Sequence, residues 1–222
     1  MEPHYQQRLS QQCEVRGLTV SADQQARLLH YLDLLLHWRP SLNLTGLRDA
    51  ERMLDVLIIE SLDFFAGDYL VSGKRVLDLG TGAGVPGLPL AVCCPTLHMT
   101  LLDRSTKKIA FLQRVVEALQ LPHCQPVCGT SEELVPRLTP HRTFDVVVSR
   151  GVGTMAHLMH LTAKLLHPGG LLLLRKPLDT PELHEAEQSC AVGPWHGIER
   201  LALPWSTSPP WMVVAVHRRP SR

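Results

Sequence analysis

Residues 76–87 read VLDLGTGAGVPG, an apolar run that closes on an acid, Asp78, and then breaks into glycines. The pattern predicts a buried strand that ends in a tight loop, because glycine turns through positive φ and approaches a ligand with no Cβ in the way. In an open parallel sheet, ligands lie beyond the carboxyl ends of the strands, where the strand order switches. Gly80, Gly82 and Gly84 then form the lip of such a site, and Pro86 stands where the first turn of the next helix favours proline.

Two kinds of ligand fit this loop. Gly82-Ala83-Gly84-Val85-Pro86-Gly87 has the G-x-G-x-x-G spacing of dinucleotide sites, which suits a nicotinamide-dependent oxidoreductase. A dinucleotide site keeps its helix N-terminus open to a pyrophosphate, which a carboxylate at Asp78 repels. Asp78 suits a ligand with a cationic end, such as the ammonium and sulfonium of S-adenosylmethionine. The next strand closes on Asp103, where a carboxylate can accept both ribose hydroxyls, and that feature serves either ligand.

From residue 71 onward, short apolar runs alternate with helical ones, the pattern of βαβ units around a parallel sheet. RVLDL, HMTLLD, CQPVC, FDVVVS and GLLLLRK are the expected strands and WMVVAVHR the last, with LPWSTSPPW as the turn between two late strands. STKKIAFLQRVVEALQL places Ile109, Leu112, Val115, Val116 and Leu119 at helical spacing. Residues 1–70 read as helical throughout. SADQQARLLHYLDLLLHWRP opens on Ser21 and Gln24 at capping-box spacing and is expected to stop at Pro40. After the turn SLNLTGLRD, a second helix is expected through ERMLDVLIIESLDFF to Gly67. The expected chain is α/β, with a helical cap over 1–70 and a ligand-binding domain over 71–222.

Of the 222 residues, 45% are hydrophobic and 19% charged, enough to bury a full core and too apolar for a disordered or fibrous class. No stretch approaches the ~20 apolar residues that cross a bilayer, and MEPHYQQRLSQQCEVRG lacks an apolar signal core, so a cytoplasmic protein without a membrane partner is expected. The six cysteines include no C-x-x-C pair and read as reduced thiols, mostly small buried hydrophobes. His157 and His160 lie on an expected helix, but no acid or cysteine completes a ligand set, so no metal is expected. Residues 1–70 carry 6 Lys/Arg against 10 Asp/Glu, and residues 71–222 carry 16 against 11, which directs an anionic partner to the second part. Trp38 reads as packing for the cap, and Asn43 and Thr45 as turn formers.

LDLGTGAGVPGLPLA, with LLDRSTKKIAFL and FDVVVSRGV after it and HWRPSLNLTGLRD before it, resembles the bacterial rRNA small-subunit methyltransferase G family. That family, also called glucose-inhibited division protein B, methylates guanine N7 in 16S rRNA. The likeness runs from about residue 20 to 176. It implies a Rossmann-like, seven-stranded class I S-adenosylmethionine-dependent methyltransferase sheet with an N-terminal helical extension. It also implies 16S rRNA or the small ribosomal subunit as substrate, and a monomer is expected. By motif, Gly80 and Val85 touch the cofactor together with Asp78, Gly82, Gly84 and Asp103, and Ser131 and Glu132 of TSEE lie around the adenine. Arg150 ends the fourth strand beside the reaction centre, where it can steady the cofactor or hold the base, and Lys176 faces RNA; these two are the candidate catalytic residues. Lys107 and Lys108 match a basic pair.

Guanine N7 carries an in-plane lone pair with no proton at neutral pH, so the implied reaction needs no base. N7 lies in the deep, narrow major groove of A-form RNA, so the target is expected in a loop or splayed from the stack. The chain departs from the family pattern at Val56-Leu57-Ile58-Ile59-Glu60-Ser61, where Arg-His usually precedes an apolar pair and Asp-Ser. Thr130 replaces an arginine, Val85 an aromatic or leucine, Gly151-Val152 the Ala-Phe after Ser149-Arg150, and Pro177 a glycine. These changes fall more on the expected RNA-facing side than on the cofactor loop.

Overall fold

Runs of Val, Ile and Leu with few polar interruptions can pair only where helices cover both faces of the sheet, and that is where they lie. The computed structural model describes residues 3–135, 143–207 and 209–220. Its strands are β1 (Arg75–Leu79), β2 (His98–Asp103), β3 (Cys124–Cys128), β4 (Phe144–Ser149), β5 (Leu166–Pro177), β6 (Trp195–Thr207) and β7 (Pro210–Arg218). They form one seven-stranded sheet in the order β3-β2-β1-β4-β5-β7-β6. β1 to β5 pair in parallel, and β7 runs antiparallel between β5 and β6. The strand order therefore switches between β1 and β4.

The first four expected strands match residue for residue, and GLLLLRK and WMVVAVHR fall inside β5 and β7. β6 is the strand that the apolar runs did not reveal, because it is an edge strand in which exposed and half-buried residues interrupt the apolar ones. LPWSTSPPW is turn only around Pro209, since its first five residues extend β6; its Ser208 lies outside the described residues.

The helices are α1 (Pro3–Val15), α2 (Ala22–Leu42), α3 (Ala50–Met53), α4 (Gly87–Cys93), α5 (Thr106–Ala118), α6 (Ser131–Leu134), α7 (Met155–Thr162) and α8 (Glu182–Val192). α2 opens on the expected capping box of Ser21 and Gln24, but it does not stop at Pro40. Proline so near a helix end forfeits one amide bond, and the helix runs two residues further, to Leu42, before closing on Asn43 in the left-handed region (φ 50°), whose N–H donates to the Arg39 carbonyl at 3.0 Å. The expected helix over 51–67 is α3 followed by a π-helical turn (Leu54–Ile58) and a 3-10 stretch (Ile59–Phe65). Crowded β-branched residues and the Ser61 hydroxyl, which donates to the Leu57 carbonyl at 2.6 Å, compete with a regular ladder there.

One hydrophobic cluster joins α1, α2, the 50–65 segment, α4 and α5 to one face of the sheet, and α7 and α8 cover the other. α2 also closes the ends of its neighbours. The Gln24 amide donates to the Val92 and Cys93 carbonyls at 3.1 and 2.9 Å, and Arg27 donates to the Leu119 carbonyl at 2.9 Å, which satisfies carbonyls that α4 and α5 leave open. Trp38 packs against this core with the Arg114 guanidinium 5.3 Å from its ring. Thr45 accepts from the Leu47 N–H at 3.1 Å, a turn contact. All six cysteines are free thiols, but only Cys13 and Cys124 are buried, and Cys128 is exposed at the end of the β3 edge strand.

Candidate cofactor cleft and its neighbouring pocket

The glycine loop is held from three sides. Asp78 Oδ2 accepts the Thr81 hydroxyl at 2.6 Å and the Gly87 N–H, the first amide of α4, at 2.8 Å. Asp103 Oδ2 accepts the Gly82 N–H at 3.0 Å, while its Oδ1 accepts the Ser105 N–H at 2.9 Å. From α2, the buried Tyr31 hydroxyl donates to the Ala83 carbonyl at 2.8 Å. Pro86 follows a cis peptide bond and stands just before α4, not in its first turn.

Asp78 is fully buried, contrary to the expectation that it faces a cationic ligand. Burial pushes its pKa from 3.8 to about 7, against the opposing bonds from Thr81 and Gly87, and its Oδ1 has no partner. The carboxylate therefore occupies the helix N-terminus that a dinucleotide pyrophosphate needs.

The three glycines do different things. Gly80 (φ 73°) lines a cleft of about 540 Å³, and a Cβ on it would lie 2.5 Å from Val152 Cγ2. A Cβ on Gly82 (φ 59°) would meet only the Gly80 carbonyl, at 3.9 Å, whereas Gly84 turns inward, where a Cβ would meet Leu88 at 2.3 Å and Leu112 at 2.9 Å. Val85 is half-buried against the same core. The cleft brings Gly80, Asp103, Lys108, Ser131 and Glu132 together, with Leu102 and Val152 among its apolar walls. Ser131 donates to Glu132 at 3.0 Å, and the Glu132 backbone N–H, then Thr130 and Ser131, hold that carboxyl below its usual range. Thr130 caps α6 with Glu133, a role an arginine does not fill. A cleft with the Leu102 and Val152 side chains beside the Asp103 carboxylate and bare loop backbone can take an adenosyl group.

Arg150 and Lys176 do not line this cleft. Arg150 donates to the Val56 carbonyl and to Glu60 Oε2 at 2.8 Å, tying the end of β4 to the 50–65 segment. Lys176 is paired with both Glu182 oxygens at 3.1 and 2.9 Å. Lys107 is exposed on α5, and Lys108 lies 3.7 Å from Asp103 Oδ2. His157 and His160 lie on α7, and the described residues contain no group of three or more His, Cys, Asp or Glu suited to a metal ion.

A second pocket, of about 460 Å³, opens over the carboxyl end of β5 and the adjoining start of β7, where Arg175, Trp205 and Trp211 meet α1 and the 50–65 segment. Asp63 is fully buried at its base. It accepts from Arg16 at 2.8 Å, from Arg175 at 2.7 Å and from the Trp205 indole N–H at 2.8 Å. Arg175 also reaches Glu60 Oε2 at 3.2 Å and stands 4.2 Å from the Trp211 ring centre. Burial raises the Glu60 pKa despite the neighbouring Arg175 and Arg150. No sequence motif pointed to Tyr31 or Asp63; Glu60 stood out only as the acid in a segment that departs from the family pattern, and Arg175 only as a lone arginine closing the apolar run LLLL.

The family model of rRNA small subunit methyltransferase G matches residues 24–204. The ribosomal RNA small subunit methyltransferase G of Laribacter hongkongensis is 42% identical over 154 residues, 69% of this chain and 71% of that one. The same-named protein of Saccharophagus degradans is 33% identical over 195 residues, 87% of this chain and 84% of that one. Two solved structures share the fold. One is a predicted O-methyltransferase of Agrobacterium tumefaciens (TM-score 0.57, 20% identity, 72% of this chain and 82% of that one). The other is a T. thermophilus 16S rRNA N2 G1207 methyltransferase (TM-score 0.53, 22% identity, 73% of this chain and 42% of that one). With a loop closed to pyrophosphate and a matching family model over most of its length, the chain belongs to the rRNA small subunit methyltransferase G family, S-adenosylmethionine-dependent methyltransferases of ribosomal RNA.

Proposed function

We propose that this chain methylates N7 of one guanine in 16S rRNA, acting as a cytoplasmic monomer. The observation that carries the reading is the bond from the Gly87 N–H to Asp78 at 2.8 Å, which fills the helix N-terminus that a dinucleotide pyrophosphate needs and leaves the adenosyl-shaped cleft to S-adenosylmethionine. Bound in the cleft, S-adenosylmethionine supplies an electrophilic methyl on sulfur. Gly80, Gly82 and the backbone of Gly84 and Val85 shape the cradle, Asp103 accepts the ribose hydroxyls, and Ser131 and Glu132 border the adenine. Asp78 acts from beneath, by fixing the loop.

Because N7 has no proton to lose, the protein's task is alignment of N7 with the methyl. Placement of this kind is worth about 7–11 kcal/mol of the barrier. Arg150 ties the end of β4 to the 50–65 segment through Glu60, where the two cavities adjoin, and Lys176 sets the start of α8 through Glu182. Residues 1–70 serve as a cap on the methyltransferase domain of 71–222, supported by the core they share. Among the described residues no helix is long and apolar enough to cross a membrane.

The test is to incubate the protein with methyl-labelled S-adenosylmethionine and small-subunit rRNA lacking the modification, then to digest the RNA and look for 7-methylguanosine by mass spectrometry. One labelled guanine is the expected result. Cofactor binding without transfer to this RNA would overturn the reading.

A further inference from the structure

The pocket over β5 and β7 has a shape and chemistry that the fold alone does not require. Ser149 pairs in register with Leu174, so Arg150 and Arg175 emerge side by side from the ends of adjacent strands. Both guanidiniums close on one atom, Glu60 Oε2, at 2.8 and 3.2 Å. Gly151 and Val152, which follow Arg150, line the cofactor cleft, whereas Glu60 and Arg175 line the second pocket. The Arg150–Glu60–Arg175 bridge thus lies where the linings of the two cavities adjoin.

Two acids of the second pocket, Glu60 and Asp63, differ. Asp63 has both oxygens engaged and no exposed side-chain surface. Glu60 uses Oε2 for both arginines; Oε1 has no partner among the described residues, and the side chain is 28% exposed. The pocket it faces is walled by Trp205 and Trp211, both half-buried, with Arg175 against Trp211. Aromatic rings and guanidinium planes are the surfaces on which unstacked bases lie.

Among the four RNA bases, only guanine presents two adjacent N–H donors, N1–H and the N2 amino group, to a single carboxylate. An enzyme that alkylates N7 must recognise guanine elsewhere and leave the N7 lone pair bare. We propose that the second pocket holds the target guanine, with Glu60 as the specificity-determining residue that accepts from its Watson–Crick edge. The inference rests on the guanine-N7 reading above and names the residue that selects the base. The bridge to Arg150 and Arg175 fixes where Glu60 points, so those arginines are positioning residues.

The test pairs two RNAs with three proteins. Small-subunit rRNA with guanine at the target is compared with the same RNA carrying inosine there, which lacks the N2 amino group but keeps N7. The wild-type protein is expected to lose about tenfold in kcat/KM on the inosine RNA, the cost of one unmade bond to a charged acceptor. Glu60→Gln is expected to be slow on guanine and to discriminate less than about twofold, with its S-adenosylmethionine Kd unchanged. Glu60→Asp restores the acid of the family pattern and keeps a carboxylate acceptor, so it should keep the inosine penalty. If the wild type shows no inosine penalty, if Glu60→Gln keeps it in full, or if Glu60→Asp loses it, the proposal fails while N7 methylation stands. Should Glu60→Gln fail to fold, the wild-type and Glu60→Asp measurements still decide. If the wild type methylates neither RNA, the guanine-N7 reading itself is wrong and this inference falls with it.

Discussion

Around the glycine loop, the contacts that fix shape are backbone bonds: Asp78 and Asp103 accept loop N–H groups, and Tyr31 donates to a loop carbonyl. Around Trp205 and Trp211 they are ion pairs, with Arg16 and Arg175 on Asp63 and Arg150 and Arg175 on Glu60. Both cavities open on the carboxyl edge of one sheet. The first is held by a local chain path that few sequences can adopt; the second is held by charges that stay in place only while each has its counter-charge. Substitutions should therefore act differently on the two. Changes at the loop should move cofactor affinity, and changes in the pocket should move stability and RNA selectivity.

The largest effect is expected at Asp63. Asp63→Ala leaves Arg16 and Arg175, with side chains 6% and 5% exposed, without their shared carboxylate. Removing one partner of a buried pair costs about 3–5 kcal/mol. Denaturant titration should show a loss of that size, while the S-adenosylmethionine Kd of the folded variant changes little. A cofactor affinity that collapses in step with stability would show that the two cavities are one unit.

The loop side has its own buried charge, and it runs the other way. The Asp78 carboxyl is raised from 3.8 to about 7, chiefly by burial, so the folded state binds the proton more tightly than the unfolded chain. Its contribution to stability is fully present below about pH 3.8 and is lost as pH rises through about 7. Asp78→Asn keeps an oxygen for Thr81 and Gly87 and removes the titration. The variant should gain on the wild type by roughly 2–4 kcal/mol between pH 4 and pH 8. Parallel stability curves would mean that Asp78 stays ionised in the fold.

How far each region could be read from the sequence follows from the same contrast. Strand, acid and glycines lie within residues 76–87, and the partners of Asp78 are three and nine residues away, so the local pattern announced the loop. The pocket's partners are 47, 112 and 142 residues from Asp63, and no local pattern carries such a pairing. Arg150 shows the limit of a motif: its place at the end of β4 was legible, but its direction depends on Glu60, 90 residues earlier. The same holds for Lys176, which the sequence marked as RNA-facing and which Glu182 engages. The 50–65 segment was legible as helical but not as π and 3-10 turns, since side-chain competition within it breaks the ladder.

Tyr31 links the cap to the loop and should have a smaller effect, confined to the cofactor. The peptide between Ala83 and Gly84 is held at both ends: its carbonyl accepts from Tyr31, and its N–H donates to the Thr81 carbonyl at 2.8 Å. A peptide is planar, so the hydroxyl that fixes one end fixes the other. Tyr31→Phe keeps the ring in the core and leaves the Ala83 carbonyl without its donor, at a cost of about 1–3 kcal/mol. Titration should show S-adenosylmethionine affinity falling by about tenfold with the rRNA KM unchanged. An unchanged Kd would mean that the loop is set by Asp78 and Asp103 alone.

The smallest effect is expected at the pocket's rim, and it separates a base site from a phosphate site. Arg8 forms a two-pronged pair with Asp55 at 2.7 and 2.6 Å and reaches Glu51 at 3.2 Å, with its side chain 40% exposed. A half-exposed pair of this kind contributes up to about 1 kcal/mol, so Arg8→Ala should shift stability by no more than that. Two carboxylates already neutralise the guanidinium, which leaves little charge for an RNA phosphate. The dependence of rRNA binding on salt should therefore be unchanged in the variant. A log–log slope reduced by about one would instead assign Arg8 a phosphate contact, since each neutralised phosphate contributes a slope of close to one. The rim of the pocket would then bind the RNA backbone beside the base that Glu60 selects.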